Sequence, residues 1–325
     1  MKRFKRITAL LLALLAVSFL LPFQALAAEN IDINRDVSLT VSYRSGKKPL
    51  AGAKFDIFLV ATVDKYNELT ATKKFSQFNV NIRGKNDKAW RTLASTLKGY
   101  VLRDNISHTS SGKTDNKGLV TFPANGKSLK AGLYLVIGYR HTQDGYRYDP
   151  APFMVMLPSA DNENNAWDYG VTVNAKFDVS KIPNNTVDDT ISRKVMKVWK
   201  DDGHEAERPN KVTVQLLRNG KVYDTVTLSS SNNWRHTWKK LDNSYSWTVV
   251  EKQEEYYTVE VTQEGNTFVV TNTYDKSTSN KPDGPTGNKL PQTGQLWWPV
   301  PMLIAVGLLF IIIGLLRRRG TTDEK

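Results

Sequence analysis

Hydrophobic and polar residues alternate with a period of two along most of the chain, the spacing of strands with one buried face. Ser38-Leu39-Thr40-Val41-Ser42-Tyr43 alternates, Gly46-Lys47-Lys48-Pro49 makes a turn, and Ala53, Phe55 and Ile57 resume the alternation. Residues 118–122, 132–137, 153–157 and 169–173 repeat the theme. The period changes between Asp64 and Asn116, where Trp90, Leu93, Leu97, Tyr100 and Val101 recur at helical intervals. This predicts an insertion with one amphipathic helix over about 88–103, mounted on a β-sandwich and covering a sheet edge.

A second unit shows seven short strand patterns, at 194–199, 211–218, 222–228, 234–238, 245–251, 258–263 and 267–274. Short strands separated by turns at this density predict an immunoglobulin-like sandwich. The expected fold is all-β, with two tandem immunoglobulin-like sandwiches at 28–183 and 191–275. A polar linker at 184–190 joins them, and residues 276–289, rich in Ser, Thr, Asn, Pro and Gly, form a stalk.

The two ends follow different rules. Lys2, Arg3, Lys5 and Arg6 surround the start of an apolar run, and Ala25-Leu26-Ala27 closes it, which predicts a secretory signal peptide over 1–27. Residues 296–316 carry no charge, begin at Trp297 and Trp298, and end at Arg317-Arg318-Arg319. Such a stretch is long enough to cross a bilayer as a helix, with aromatic rings at one interface and cations at the other.

The net charge of +13 overstates the processed protein. Removing the eight of 45 basic and two of 32 acidic residues that lie in 1–27 and after Thr293 leaves +7. That excess contains no dense basic block, so nucleic acid is not an expected partner. Cysteine is absent, so an exported chain of this kind lacks the disulfides that usually staple such domains. The four histidines are scattered, with no metal-ligand spacing, no phosphate-cradling glycine loop and no thiol nucleophile, so neither metal, cofactor nor enzymatic activity is expected. Asp201-Asp202-Gly203 lacks the further ligands of a calcium loop and reads as a turn.

Three polar residues of the second unit fall on inward positions of their strands. Lys197 lies between Val195 and Trp199, Glu251 follows Trp247 and Val249, and Asn272 follows Phe268 and Val270. Together with Met196-Lys197-Val198-Trp199, Arg208-Pro209 and Thr271-Asn272-Thr273-Tyr274, they make residues 191–275 resemble the collagen-adhesin B-type (CnaB) repeat. The resemblance implies an isopeptide bond from Lys197 to Asn272, assisted by Glu251. The first unit resembles diverged repeats of pilin and adhesin subunits through residues 39–41, 49–55, 118–122 and 132–134. Tyr43 and Gly138 stand where that family has its lysine and glutamate, so no such bond is expected there.

Leu290-Pro291-Gln292-Thr293-Gly294, followed by the apolar span and the arginines, resembles the LPXTG sorting signal of sortase substrates. The resemblance implies cleavage after Thr293 and its transfer to an amine of peptidoglycan or of another pilin subunit, at the cell wall of a Gram-positive cell. The X-Pro bond keeps the segment extended, and Gly294 permits close approach. Trp167-Asp168-Tyr169-Gly170-Val171-Thr172-Val173-Asn174-Ala175-Lys176 resembles the pilin motif, with Asn174 and Ala175 in place of Tyr-Pro. It makes Lys176 the candidate acceptor for a backbone pilin's threonine. The expected function is a sortase-anchored minor or basal pilin. The alternative is a monomeric wall-anchored adhesin that binds host matrix or carbohydrate through its first domain.

Overall fold

The computed structural model describes residues 30–278, apart from 84–85, 125, 127, 162, 165 and 184–188. The expected signal peptide, most of the linker and stalk, the sorting signal and the apolar span lie outside the described residues.

The first sandwich is built around β1 (Ser38–Ser42) and β2 (Lys54–Val63). After the helix α1 (Asp87–Arg103) come β3 (Ser110–Lys113), β4 (Leu119–Phe122) and β5 (Gly132–Gly138). Then follow β6 (Tyr146–Pro150), β7 (Phe153–Leu157), β8 (Gly170–Asn174) and β9 (Phe177–Lys181). One sheet has the order β8-β1-β4, with β1 parallel to β8, and packs on a second in which β7, β5 and β2 run side by side. Leu39, Val41, Phe55, Ile57, Tyr134 and Val136 fill the space between them.

β2 and β5 are buried on both faces, which strict alternation does not foresee. Phe55 and Ile57 point into the sandwich, whereas Phe58 and Val60 point the other way, onto α1. In β5, Tyr134 and Val136 face inward, and Leu135 and Ile137 face the helix. A strand covered on both sides becomes a continuous apolar run, as β5 is.

The helix begins where Asn86 Oδ1 accepts a hydrogen bond from the Ala89 N–H at 2.9 Å. The expected helical stripe is present, with Leu93, Leu97, Tyr100 and Val101 buried. Thr92, Thr96 and Gly99 are buried as well, because a second surface lies against the opposite side of α1.

That surface belongs to the second sandwich. Its strands are β10 (Thr190–Lys200), β11 (Lys211–Arg218), β12 (Lys221–Ser229), β13 (Arg235–Asp242), β14 (Trp247–Glu251), β15 (Tyr257–Glu264) and β16 (Thr267–Tyr274). They form sheets ordered β13-β10-β16-β15 and β12-β11-β14. The first and last strands, β10 and β16, pair in parallel, as β1 and β8 do in the first sandwich. The two sandwiches thus repeat one plan.

The sheet edge that the insertion covers is therefore not in its own sandwich. Leu217 and Val250 of the second sandwich share a core with Leu97, Tyr100, Phe75 and Phe78 of the insertion. A second junction forms where Arg140, paired with Asp149, donates to the Asn243 carbonyl at 2.7 Å. Asp189, inside the expected linker, accepts from Asn243 and pairs with Arg147.

Candidate functional site

The alternation of the second sandwich places its three inward polar residues in one spot. Lys197 sits beside Val270, and Trp199 beside Asn272, in the parallel β10–β16 pair. Glu251 ends β14 in the facing sheet. Relative exposures of 5, 0 and 0% for Lys197, Glu251 and Asn272 put all three out of reach of water. Lys197 Nζ lies 3.2 Å from Glu251 Oε2, and Asn272 Nδ2 donates to Glu251 Oε1 at 2.6 Å. The amine also sits 4.4 Å from the centre of the Trp199 ring. Asn272 Oδ1 is buried without a hydrogen bond. An orphaned carbonyl next to a buried amine and acid is a costly arrangement for purely structural residues.

Electrostatics drive the pair toward neutrality. Burial lowers the Lys197 pKa to about 8, against the opposing pull of Glu251, Glu254 and Asp201. Burial raises that of Glu251, with Lys197 and Asn272 pulling it back. Taking a charge out of water disfavours the ionised form of both groups. The site can therefore hold an uncharged amine, an uncharged acid and a primary amide in mutual reach.

Beside it is a second polar cluster whose role the sequence pattern did not reveal. Asp201 does open a turn, in which the His204 N–H donates to its carbonyl and Gly203 takes φ +78°. Its side chain, however, is buried and accepts two bonds from Arg208, at 2.8 and 2.6 Å, and one from Tyr257 Oη at 3.2 Å. The Arg208 contact is the main cause holding the Asp201 carboxyl below the usual range. A depressed carboxylate pKa stabilises the fold above its unfolded value, near pH 4, and that contribution is lost as the pH falls through the folded value. Asp201→Ala is expected to cost about 3 kcal/mol in guanidinium unfolding at pH 7, and less as the pH drops below about 4. A pH-independent loss would contradict this reading. The nearby Arg208-Pro209 was the available signal, but a charge pair seven residues apart has no period.

Other sequence-predicted positions are dispersed. Tyr43 and Gly138 are both buried, and a Cβ on Gly138 would lie 2.5 Å from Pro150 Cβ, so larger side chains are excluded there. Lys176 is exposed and follows Ala175, whose N–H donates to the Ser42 carbonyl. It lies two residues after the end of β8, the last strand of the two sandwich sheets. The motif spans the short strand Ala166–Asp168 and β8, and the chain then continues into β9, which pairs with β6. Lys176 borders a groove of about 410 Å³ whose walls include Trp90, Leu133, Met154 and Met156. Among the described residues, no group of three or more His, Cys, Asp or Glu could hold a metal ion.

Comparison with known proteins agrees with this two-part plan. Residues 36–176 match the N-terminal D1 domain of Gram-positive pilin subunits, and residues 193–273 match the Cna protein B-type domain. A collagen adhesin of Staphylococcus aureus is 26% identical over 225 residues, which cover 66% of this chain and 17% of that protein. The chain therefore spans about one-sixth of the length of that relative. Among solved structures, a single B repeat unit of the S. aureus collagen-binding surface protein is 17% identical, covering 74% of this chain and 98% of the repeat, with a TM-score of 0.26. The major pilin SpaD of Corynebacterium diphtheriae is 16% identical, covering 75% of this chain and 65% of the pilin, with a TM-score of 0.29. Scores of that size leave the fold to be judged from strand order and register. The chain thus carries a segment that matches a Gram-positive pilin D1 domain, followed by one that matches a Cna B-type domain.

Proposed function

We propose that this chain is a sortase-anchored structural subunit of the cell surface, a minor or basal pilin whose second sandwich is closed by a Lys197–Asn272 isopeptide bond. The observation that carries the proposal is the burial of Lys197, Glu251 and Asn272 within 3.2 Å contacts of a shared carboxyl group. Turning the Asn272 amide by half a rotation brings Oδ1 against the protonated Glu251 carboxyl, which polarises the carbonyl. The neutral Lys197 amine then attacks Asn272 Cγ. Glu251 relays a proton from the amine to the departing amide nitrogen, the Cγ–Nδ2 bond breaks, and ammonia leaves. The product amide joins first and last strands of a domain that has no cysteine to do so. The reaction happens once per molecule, as maturation rather than turnover.

Under this reading Thr293 is passed by a sortase to peptidoglycan or to another subunit, and Lys176 accepts the threonine of a backbone pilin. The precursor is held in the membrane only until that transfer, and the mature protein stands on the wall. The test of the crosslink is the mass of the mature chain, expected to be lower by one ammonia than its composition requires. An unreduced mass would sink it. The second reading is a monomeric wall-anchored adhesin for host matrix or carbohydrate, favoured by the match to a collagen adhesin.

A further inference from the structure

β14 and β15 are edge strands of the two sheets of the second sandwich, on the side where Glu251 lies, the other edges being β12 and β13. An open edge next to a buried reactive group exposes unpaired backbone groups and admits water. Here the first sandwich fills that opening. Tyr100 Oη of α1 donates to the Glu251 backbone carbonyl at 3.3 Å. The Val261 N–H on β15 donates to Thr96 Oγ1 at 2.8 Å, and the Val259 N–H to the Asn79 carbonyl at 3.0 Å. Gln253, just after β14, is clamped between the Asn79 N–H and the Gln77 carbonyl. Gly99 sets the distance of approach, since a Cβ there would lie 2.7 Å from Val250 Cγ2 and 3.1 Å from the Val249 carbonyl oxygen.

We infer that α1 is the missing wall of the crosslinking site, so that the Lys197–Asn272 bond forms only once the first sandwich has folded and docked, with Tyr100 as the positioning residue for Glu251. The inference rests on the crosslink reading above. An undocked second sandwich has β14 as a bare edge strand with Glu251 at its end. Water reaching that end keeps the amine and the acid charged, and a protonated amine cannot attack. Glu251, Glu254 and Asp201, the last paired with Arg208, face Lys197. Tyr100 faces Glu251 from the helix, with Arg103 over its ring at 5.1 Å. Among these groups the docked helix supplies no carboxylate to the site. It supplies exclusion of solvent and one hydrogen bond.

The two sandwiches would then be ordered in time as well as in space. A chain whose first sandwich is misfolded would remain uncrosslinked, and so open to proteases. The test uses the full chain made in a cell-free reaction and sampled over time, with the linked Lys197–Asn272 peptide quantified by mass spectrometry after digestion. Tyr100→Phe keeps the ring and removes only the hydroxyl, so linking is expected to slow about fivefold, the effect of one hydrogen bond of ordinary strength. Gly99→Leu forces the helix off β14, and linking at pH 7 is expected to slow by on the order of a hundredfold, because a hydrated lysine is neutral that much less often. Between pH 7 and 9 the parent should link about tenfold faster as Lys197 deprotonates around 8. Gly99→Leu should gain little, because a hydrated Glu251 ionises as fast as the lysine is freed, a change of profile that mere loosening of the fold would not produce. If Gly99→Leu fails to fold, Tyr100→Phe decides alone. Equal rates in the parent and Tyr100→Phe, or an unshifted pH profile in a folded Gly99→Leu chain, would overturn the role of α1. Absence of the linked peptide from the parent would overturn the crosslink itself.

Discussion

A chain carrying Glu251→Gln is expected to keep the mass of its uncrosslinked composition and to lose about 4 kcal/mol of stability in the second sandwich. The substitution preserves the volume of the side chain and a hydrogen-bond acceptor for Asn272 Nδ2. What it removes is the proton relay that lets ammonia leave. The proposed bond closes a loop of about 75 residues between Lys197 and Asn272. Chain-entropy arguments developed for disulfides give roughly 4–5 kcal/mol for closing a loop of that length in the unfolded state. For a domain of this size that corresponds to a fall in Tm on the order of 20 °C. Calorimetry on the parent and variant, with intact masses of both, checks the two halves together. Masses that match the uncrosslinked composition in both chains, with equal Tm values, would show that the parent forms no bond.

The same variant has a pH signature whose sign follows from linkage. Removing the Glu251 charge removes the first of the influences that raise the Lys197 pKa against burial. The folded variant then binds its lysine proton less tightly than the unfolded chain does. Stability therefore rises with pH from neutrality toward the ordinary lysine range near 10.4. In the crosslinked parent the nitrogen is an amide and does not titrate, so this rise is expected to be absent.

Replacing Lys176 with Ala is expected to abolish detergent-resistant, high-mass assemblies containing this chain, while leaving its own attachment to the wall intact. The lysine is exposed beside the groove walled by Trp90, Leu133, Met154 and Met156. The amine can therefore meet an acyl donor without rearrangement of the fold. Lys176→Arg should be as inactive as Lys176→Ala, since a guanidinium does not deprotonate to a nucleophile. Thr293→Ala should do the reverse, releasing the chain from the wall without blocking it as an acceptor. Immunoblots of wall extracts from cells with the cognate sortase read both outcomes. Ladders that persist in Lys176→Ala would remove the pilin reading and leave the monomeric adhesin.

Much of the second sandwich was legible because its strands obey the period of two. The expected limits of 211–218 and 267–274 match β11 and β16. The inward phase of Lys197, Glu251 and Asn272 followed from apolar neighbours two residues away, since side chains on a strand must alternate. The helix was equally readable, and its observed start differs from expectation by one residue because Asn86 caps it. Local physics settles such features, and local sequence records them.

The sequence by itself determined two sandwich patterns, one helix and three polar residues on inward faces. Only the tertiary structure decided that the helix, besides packing on the first sandwich, also seals the second. Periodicity states which positions are apolar, and is silent on what will cover them. Leu97 and Tyr100 read as one stripe of an amphipathic helix, yet Thr96 and Gly99, which carry no hydrophobic signal, make the closest approach to β15 and β14. Small and hydroxylated residues are chosen there for fit and for an unpaired N–H, quantities that exist only once two surfaces meet. The sheet edges that need covering arise from strand order, which is fixed by pairings far apart in the chain. For that reason the three inward polar side chains of the second sandwich could be found from the sequence, and what lies against that sandwich could not.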